Sequence, residues 1–427
     1  MLNSVIEKVT ACEIIDSRAQ PTVEASITLN DGAYGRAAVP SGASSGYREA
    51  RELRDNDPKR YDGAGVGWAV DNITRYITPH LEGRTWRQRD LDSSLISLDG
   101  TVNKENLGAN AMLAVSLAFA HASARSYDRH LFEHFNDALS PESSFRFNHG
   151  LPRPMFNILN GGAHADSGLS FQEFMVVPVF QPFSRSLRCG VEIYNSLKIL
   201  LKERGYLTSI GDEGGFAPNL ESNEQALELL MEAGERAGYR PGEDFLLSLD
   251  IAANEIHQDG HYQHNGHYLT REDFVNALID LSSRYPIYSI EDPLFEEDVE
   301  GFAWLNQATG DKILIVGDDY LVTNPELITN ASRNDSAGGV IIKLNQIGTV
   351  TETLEALVAT YQGNMVPIVS HRSGETEDVS IAHLAFGTAA PLVKFGAPAR
   401  GERTAKYNEL IRIEEVLKNS LSAPVSI

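Results

Sequence analysis

The feature that most constrains the fold is a repeated form: a short apolar run that ends on a charged residue. Ile341-Ile342 delivers Lys343 at the head of the stretch KLNQIGT. Ser248–Ile251 ends at Asp250, Ile287–Pro293 carries Glu291, and Ile313–Asp319 carries Asp318. Val366–Ser373 ends on His371, Arg372 and Ser373, and Leu392–Gly396 carries Lys394. From Glu291 to Asp318, Lys343, His371 and Lys394 the chain advances by 27, 25, 28 and 23 residues. Each step has room for one strand and one helix, the spacing found where catalytic groups sit at the C-terminal ends of successive barrel strands. The step from Asp250 to Glu291 is longer, 41 residues, which predicts an insertion. The strands so defined aim three carboxylates, two lysines, a histidine and an arginine at one mouth. Three acids together repel unless a cation sits among them, and hard oxygen ligands favour Mg²⁺.

Composition narrows the partners. A chain of 427 residues is long enough for two or three domains and a large core. Its 59 acidic and 36 basic residues leave a net charge of −23, which makes nucleic acid and anionic membranes poor partners for the surface as a whole. An anionic substrate stays open, because a site can be locally positive. Two cysteines, Cys12 and Cys189, argue against a disulfide framework and fit a reducing compartment. The first residues, MLNSVIEKVTACEIIDSR, lack a basic segment followed by an apolar one, and no apolar stretch approaches the ~18 residues of a membrane span. A cytoplasmic protein is expected.

Taken in order, residues 1–35 read as a β-meander with a turn at Asn30-Asp31-Gly32. PSGASSG (Pro40–Gly46) reads either as a flexible connector or as a lid that closes on a phosphate or metal. Residues 47–138 read as mostly helical, and Asn106–Arg125 is apolar nearly all round, so it predicts a buried helix. His121 within it reads as a satisfied core or interface histidine. A meander followed by helices predicts an α+β first domain, 1–138, and a β/α barrel over 139–427. In the second part Asn160-Gly161-Gly162 is a turn, and Gln172-Glu173 lies in a strand-like run, Leu169–Val177. Helices are expected over Ser184–Glu203 and Asn223–Ala237. Between them, Asp212 and Glu213 are flanked by three glycines that let backbone approach a ligand closely. The insertion after Asp250 holds His257, His261, His264 and His267. Their spacing alternates faces, so a solvated hairpin is a better reading than a metal site.

Carboxylates around Mg²⁺, with lysines and an arginine nearby, suit an anionic substrate that becomes more negative during reaction. Removing a proton next to a carboxylate gives a dianion that needs a base and concentrated positive charge. A lysine among cations can act as that base near neutrality. Glu173 and Glu213 are candidates for the acid that protonates the leaving group. Each residue alone has a structural reading: Arg372 in an ion pair, Asp318 or Asp319 capping the next helix, Glu291-Asp292-Pro293 merely ending a strand. Their joint recurrence at one position of the repeat favours chemistry.

The motifs that carry these residues resemble those of the enolase family along nearly the whole chain. They are DSR with PTVE (Asp16–Glu24), PSGAS (Pro40–Ser44), EARELRD (Glu49–Asp55), LGANA (Leu107–Ala111), NGGAHAD (Asn160–Asp166), QEFM (Gln172–Met175), GDEGGFAPN (Gly211–Asn219), SIEDP (Ser289–Pro293), VGDD and VTNP (Val316–Pro325), KLNQIGT, SHRSGETED (Ser370–Asp378) and KYN (Lys406–Asn408). The resemblance implies an α/β fold: a C-terminal enolase-type (β/α)8 barrel, its first strands partly antiparallel, with an N-terminal α+β capping domain. It implies a lyase that dehydrates 2-phosphoglycerate to phosphoenolpyruvate in glycolysis and gluconeogenesis. Lys343 is then the base and Glu213 the acid, with Glu173 beside it and His164 and His371 against the reacting end. Asp250, Glu291 and Asp318 hold the first of two Mg²⁺ ions. Ser44 helps bind the second, together with the phosphate. Arg372 and Ser373 grip the phosphate, Lys394 pairs with the substrate carboxylate, and Gln172 belongs to the substrate-binding set. A homodimer or higher homo-oligomer is implied, with a small phospho-carboxylate as substrate. Departures surround these positions: Ala19-Gln20, Ser45, Ala64, Ser167, Asn254, Ile256, Phe395 and Gly401 stand where the family usually has other residues. Phe395 and Ser45 keep open an enolase-like enzyme for a related phosphono-carboxylate, such as a carboxyphosphonoenolpyruvate synthase. A non-catalytic binding or structural protein on the same scaffold is the third reading.

Overall fold

The structure is a computed structural model that describes residues 4–42, 48–139, 150–162 and 168–422. Strands β1 (Ser4–Ile15), β2 (Pro21–Leu29) and β3 (Tyr34–Ala38) form the expected antiparallel meander. Val23, Ala25, Ile27 and Leu29 of β2 are fully buried while the residues between them are partly exposed, the period of two that a one-faced strand requires. Helices α1 (Gly67–Asn72) and α2 (Thr78–Leu81) are joined through a π-helical turn, Ile73–Ile77. The short β4 (Thr85–Trp86) completes the sheet in the order β3-β2-β1-β4. Then come α3 (Gln88–Asp99), α4 (Ala109–Ser126) and α5 (Leu131–Leu139). The stretch read as apolar all round is α4, and nearly every residue of it is buried. It starts three residues later than the sequence predicts because Gly108 is in the left-handed region (φ 94°). Helix α4 lies so close to β3 that a Cβ on Gly35 would sit 2.0 Å from the Ala118 carbonyl oxygen and 2.3 Å from the Ala122 nitrogen.

The remaining chain supplies a barrel. Its strands begin with β5 (Arg153–Asn160) and β6 (Glu173–Pro178), followed by α6 (Phe183–Glu203) and α7 (Asn223–Arg236). After β7 (Phe245–Asp250) and α8 (Ala253–Ile256), the insertion forms a small antiparallel sheet of β8 (His257–Gln258), β9 (His261–His264) and β10 (His267–Thr270). His261 and His267 are exposed there, while Tyr262 is buried with its ring stacked on Phe274. Strand–helix alternation then runs through α9 (Arg271–Arg284), β11 (Ile287–Glu291), α10 (Val299–Thr309), β12 (Leu314–Gly317), α11 (Pro325–Arg333) and β13 (Gly339–Ile342). It ends with α12 (Leu344–Ile347), α13 (Val350–Gln362), β14 (Val366–Ser370), α14 (Ser380–Gly387), β15 (Leu392–Lys394) and α15 (Gly401–Ser422). The strands close in the order β11-β12-β13-β14-β15-β5-β6-β7. Strand β6 runs antiparallel to both of its neighbours. No described helix is long and apolar enough to cross a membrane.

By contact the chain divides into two compact units. Unit one is Met1–Asn148 with Leu321–Asn330 and Ile341–Ala390, and unit two is His149–Tyr320, Ala331–Val340 and Pro391–Ile427.

Candidate active site

The described candidate residues fall into two sets, one in each unit. Ser44 and His164, like the departures Ser45 and Ser167, lie outside the described residues.

In unit two, β7 ends on Asp250 and β11 ends on Glu291, paired in parallel register. Because β6 is reversed, its first residue, Glu173, lies beside Asp250, the last residue of β7. Gln172 precedes it, and its backbone N–H donates to the Asp250 carbonyl (3.0 Å). Strand β15 ends on Lys394. The Lys394 ammonium lies 2.9 Å from Asp250 Oδ2, 2.8 Å from both oxygens of Glu291 and 3.1 Å from Glu173 Oε2. All four groups are buried. Burial pulls the Lys394 pKa down, but the Asp250, Glu173, Glu291 and Glu213 carboxylates outweigh it and hold it well above the usual lysine value. Burial, then Glu213, drives Glu173 well above the ordinary carboxylate range. Burial, then Asp250, does the same to Glu291. One ammonium faces several buried acids, so the set is relieved either by acids that hold protons, as the raised pKa values of Glu173 and Glu291 imply, or by a further cation. Buried, hard anionic oxygens short of cation are the donors Mg²⁺ takes.

Glu213 stands in the loop between α6 and α7, where a Cβ on Gly215 would meet Asn160 Oδ1 at 2.8 Å and the Asn157 carbonyl at 2.9 Å. That close approach lets the Asn157 amide of β5 donate to Glu213 Oε2 at 3.0 Å. The sequence reading missed Asn157. The available signal was a polar residue in mid-strand, between Phe156 and Ile158.

Asp318 follows β12. Its backbone N–H and that of Asp319 donate to the two oxygens of Asp292, at 2.8 and 2.7 Å. Asp292 itself has φ 40°. Among the described residues, the carboxylates whose oxygens come within 4.8 Å of one another as a group of three are Asp292, Asp318 and Asp319. Burial, then Asp319 and Asp318, pushes the Asp292 pKa well up. The helix cap expected of Asp318 or Asp319 is supplied instead by Asn324, whose side chain accepts from the N–H groups of Glu326 and Leu327 at the start of α11. Phe395 points into the barrel wall, fully buried with its ring centroid 5.8 Å from that of Tyr407.

In unit one, Lys343 directly follows β13, and its backbone N–H donates to Thr323 Oγ1 (2.9 Å). Thr323 Oγ1 in turn donates to Gln346 Oε1 (2.7 Å), which fixes the first turn after the lysine. His371, Arg372 and Ser373 follow β14, all buried. The Arg372 guanidinium makes a forked pair with Glu49, at 2.9 Å to Oε2 and 3.3 Å to Oε1, and lies 3.2 Å from Asn345 Oδ1. Glu49 lies in the EARELRD motif and Asn345 in KLNQIGT, and neither motif alone assigns them a role. The start of α13 is pinned by Asp92 of α3, which accepts from Thr351 N–H (2.8 Å), Thr351 Oγ1 (2.6 Å) and Ser116 Oγ (2.6 Å).

A closed β/α barrel with buried acids and a lysine at its strand ends defines a TIM-barrel enzyme of acid–base chemistry. Residues 148–423 match the family model for the enolase C-terminal TIM barrel domain, and residues 6–135 match that for the enolase N-terminal domain. The chain is 50% identical over 419 residues to an enolase of Acidothermus cellulolyticus, covering 98% of this chain and 96% of that protein. The chain belongs to the enolase family. It is an enzyme of the phosphopyruvate hydratase type, a carbon–oxygen lyase.

Proposed function

We propose that the protein dehydrates 2-phosphoglycerate to phosphoenolpyruvate, with Lys343 as base and Glu213 as acid. Lys343 takes the proton from C2, and the C3 hydroxyl leaves as water with a proton from Glu213. The observation that carries this reading is the acid set of unit two: Glu213 held by Asn157, and Glu173, Asp250 and Glu291 gathered on Lys394. The Asn157 amide orients the acid, and the buried Glu173 beside it keeps protons in that part of the site.

Asp250, Glu291 and Asp318 are the residues proposed to hold Mg²⁺. Their buried anionic oxygens and the raised pKa values of Glu291 and Asp292 fit a site built for extra positive charge. When bound, Mg²⁺ supplies stabilisation for the negative charge that develops on the substrate carboxylate. A second ion near Ser44 follows from the family. Arg372 and Ser373 are assigned to the phosphate, Lys394 and Gln172 to the rest of the substrate, and His164 and His371 to the reacting end.

The proposal extends to a cytoplasmic homodimer acting in glycolysis and gluconeogenesis, with an N-terminal α+β region of residues 1–138 and a barrel region of 139–427. The packing of the buried Phe395 ring near Tyr407 supports 2-phosphoglycerate over a phosphono-carboxylate as the substrate. The test is the ultraviolet absorbance of phosphoenolpyruvate formed from 2-phosphoglycerate, with and without Mg²⁺. Rapid, Mg²⁺-dependent formation is the expected result. No product with Mg²⁺ present overturns the substrate. Light scattering on the eluted protein gives the mass in solution, and a monomer mass overturns the dimer.

A further inference from the structure

Lys394 does more in this structure than stand near the acids. Asp250 and Glu291 together carry four carboxylate oxygens, and N–H donors engage every one. Asp250 Oδ1 accepts from the Ala252 backbone (3.0 Å), Asp250 Oδ2 accepts from Lys394 (2.9 Å), and both Glu291 oxygens accept from Lys394 (2.8 Å each). The lysine side chain is 3% exposed, so no water shell competes for its charge. Its three N–H bonds go to Asp250 Oδ2 and the two Glu291 oxygens, which saturates the ammonium, and Glu173 Oε2 stands at ion-pair distance, 3.1 Å. Any cation that takes oxygens of Asp250 and Glu291 therefore meets a positive charge already placed on them, in surroundings that screen like charges poorly.

We propose that Lys394 is the protein's own counter-cation for this carboxylate set, and that a divalent ion and the Lys394 ammonium compete for Asp250 and Glu291. This rests on the reading of Asp250, Glu291 and Asp318 as metal ligands. Lys394 keeps Asp250, Glu291 and Glu173 together when metal is scarce, and weakens the hold on metal when it is plentiful. Entry of the ion loosens the ammonium from Glu291, and the lysine becomes available to an anionic ligand only when the site is loaded. The lysine thus couples metal occupancy to affinity for a carboxylate.

The experiment measures Mg²⁺ binding alone, without substrate, by calorimetry on the full chain dialysed against chelator. The proteins are wild type, Lys394→Met and Asp318→Asn. Lys394→Met keeps the side-chain length and removes the charge. Its Kd for Mg²⁺ is expected to fall at least tenfold. Its melting temperature without metal is expected to lie below that of wild type, with the gap closing at saturating Mg²⁺. If Lys394→Met does not fold without metal, Lys394→Gln is measured in the same way, and refolding of either variant by Mg²⁺ supports the proposal. An unchanged or weaker Mg²⁺ affinity in the lysine variant, with Asp318→Asn strongly weakened, overturns competition and makes Lys394 an organiser of the ligands. If Asp318→Asn binds Mg²⁺ as wild type does, the ligand assignment fails independently of the lysine.

Discussion

Ala19 sits at φ 58° in the turn between β1 and β2, with its N–H on the Asp16 carbonyl and Asp16 Oδ1 accepting from Arg18 and Gln20. A Cβ in the left-handed region costs about 1–2 kcal/mol, part of which glycine returns as unfolded-chain entropy. Ala19→Gly is therefore expected to stabilise the protein by about 1 kcal/mol, read as a higher urea midpoint at unchanged slope. At the chemical positions, Lys343→Ala and Glu213→Gln are each expected to cut turnover by roughly 10²–10⁴-fold or more while leaving the circular dichroism and melting curve native. A near-normal rate in either removes that residue from its role. The charged residue at the end of each apolar run was legible because charge interrupts a hydrophobic pattern. Asp250, Glu291 and Lys394 end their strands, and Asp318, Lys343 and His371 follow theirs within one residue. Asn157 on Glu213 and Glu49 on Arg372 were not legible. The residues themselves are visible, but their pairing across 56 and 323 residues leaves no local trace in one sequence.

The same contrast holds for whole elements. The meander, the buried α4, the barrel strands and the hairpin insertion all follow from periodicity and turn residues, since these depend only on neighbours along the chain. The reversal of β6 and the order in which the strands close do not, because they are set by packing across the barrel. At this scale the contact between β3 and α4 is the tightest constraint described. Gly35→Ala places its methyl against backbone atoms that cannot rotate away. The helix must shift off the sheet, and the expected loss is at least about 3 kcal/mol, or a protein that does not accumulate. Gly238→Ala, at a helix end with open space around it, serves as the control for a glycine replaced without a clash and is expected to cost about 1 kcal/mol through its φ of 88°.

For the molecule as a whole, one histidine sets part of the response to acid. Desolvation of the His134 ring, opposed by Asp137, brings its pKa down from 6.5 to about 4, and its Nε2 lies 3.1 Å from Gln88 Oε1. The unfolded chain takes up this proton first as pH falls. The stability that the neutral ring contributes is complete above about pH 6.5 and is lost as pH drops towards 4, a change of up to about 3 kcal/mol. The difference between wild type and His134→Phe in denaturant titrations from pH 7 to pH 4 reads this directly, and a difference independent of pH excludes it. The composition of unit one carries another consequence, for synthesis. Asp92 finds its donor in Thr351, Glu49 finds Arg372, and Phe132 of α5 meets Phe386 of α14 with ring centroids 4.9 Å apart. A ribosome adding ~5–20 residues per second completes Asn148 tens of seconds before it delivers Ala390. Through that interval Asp92 already has its Gln88 and Ser116 donors and awaits Thr351, and the apolar face at Phe132 awaits Phe386. Translation of this chain is thus a period of enforced waiting, set by where the last pieces of the first unit are encoded.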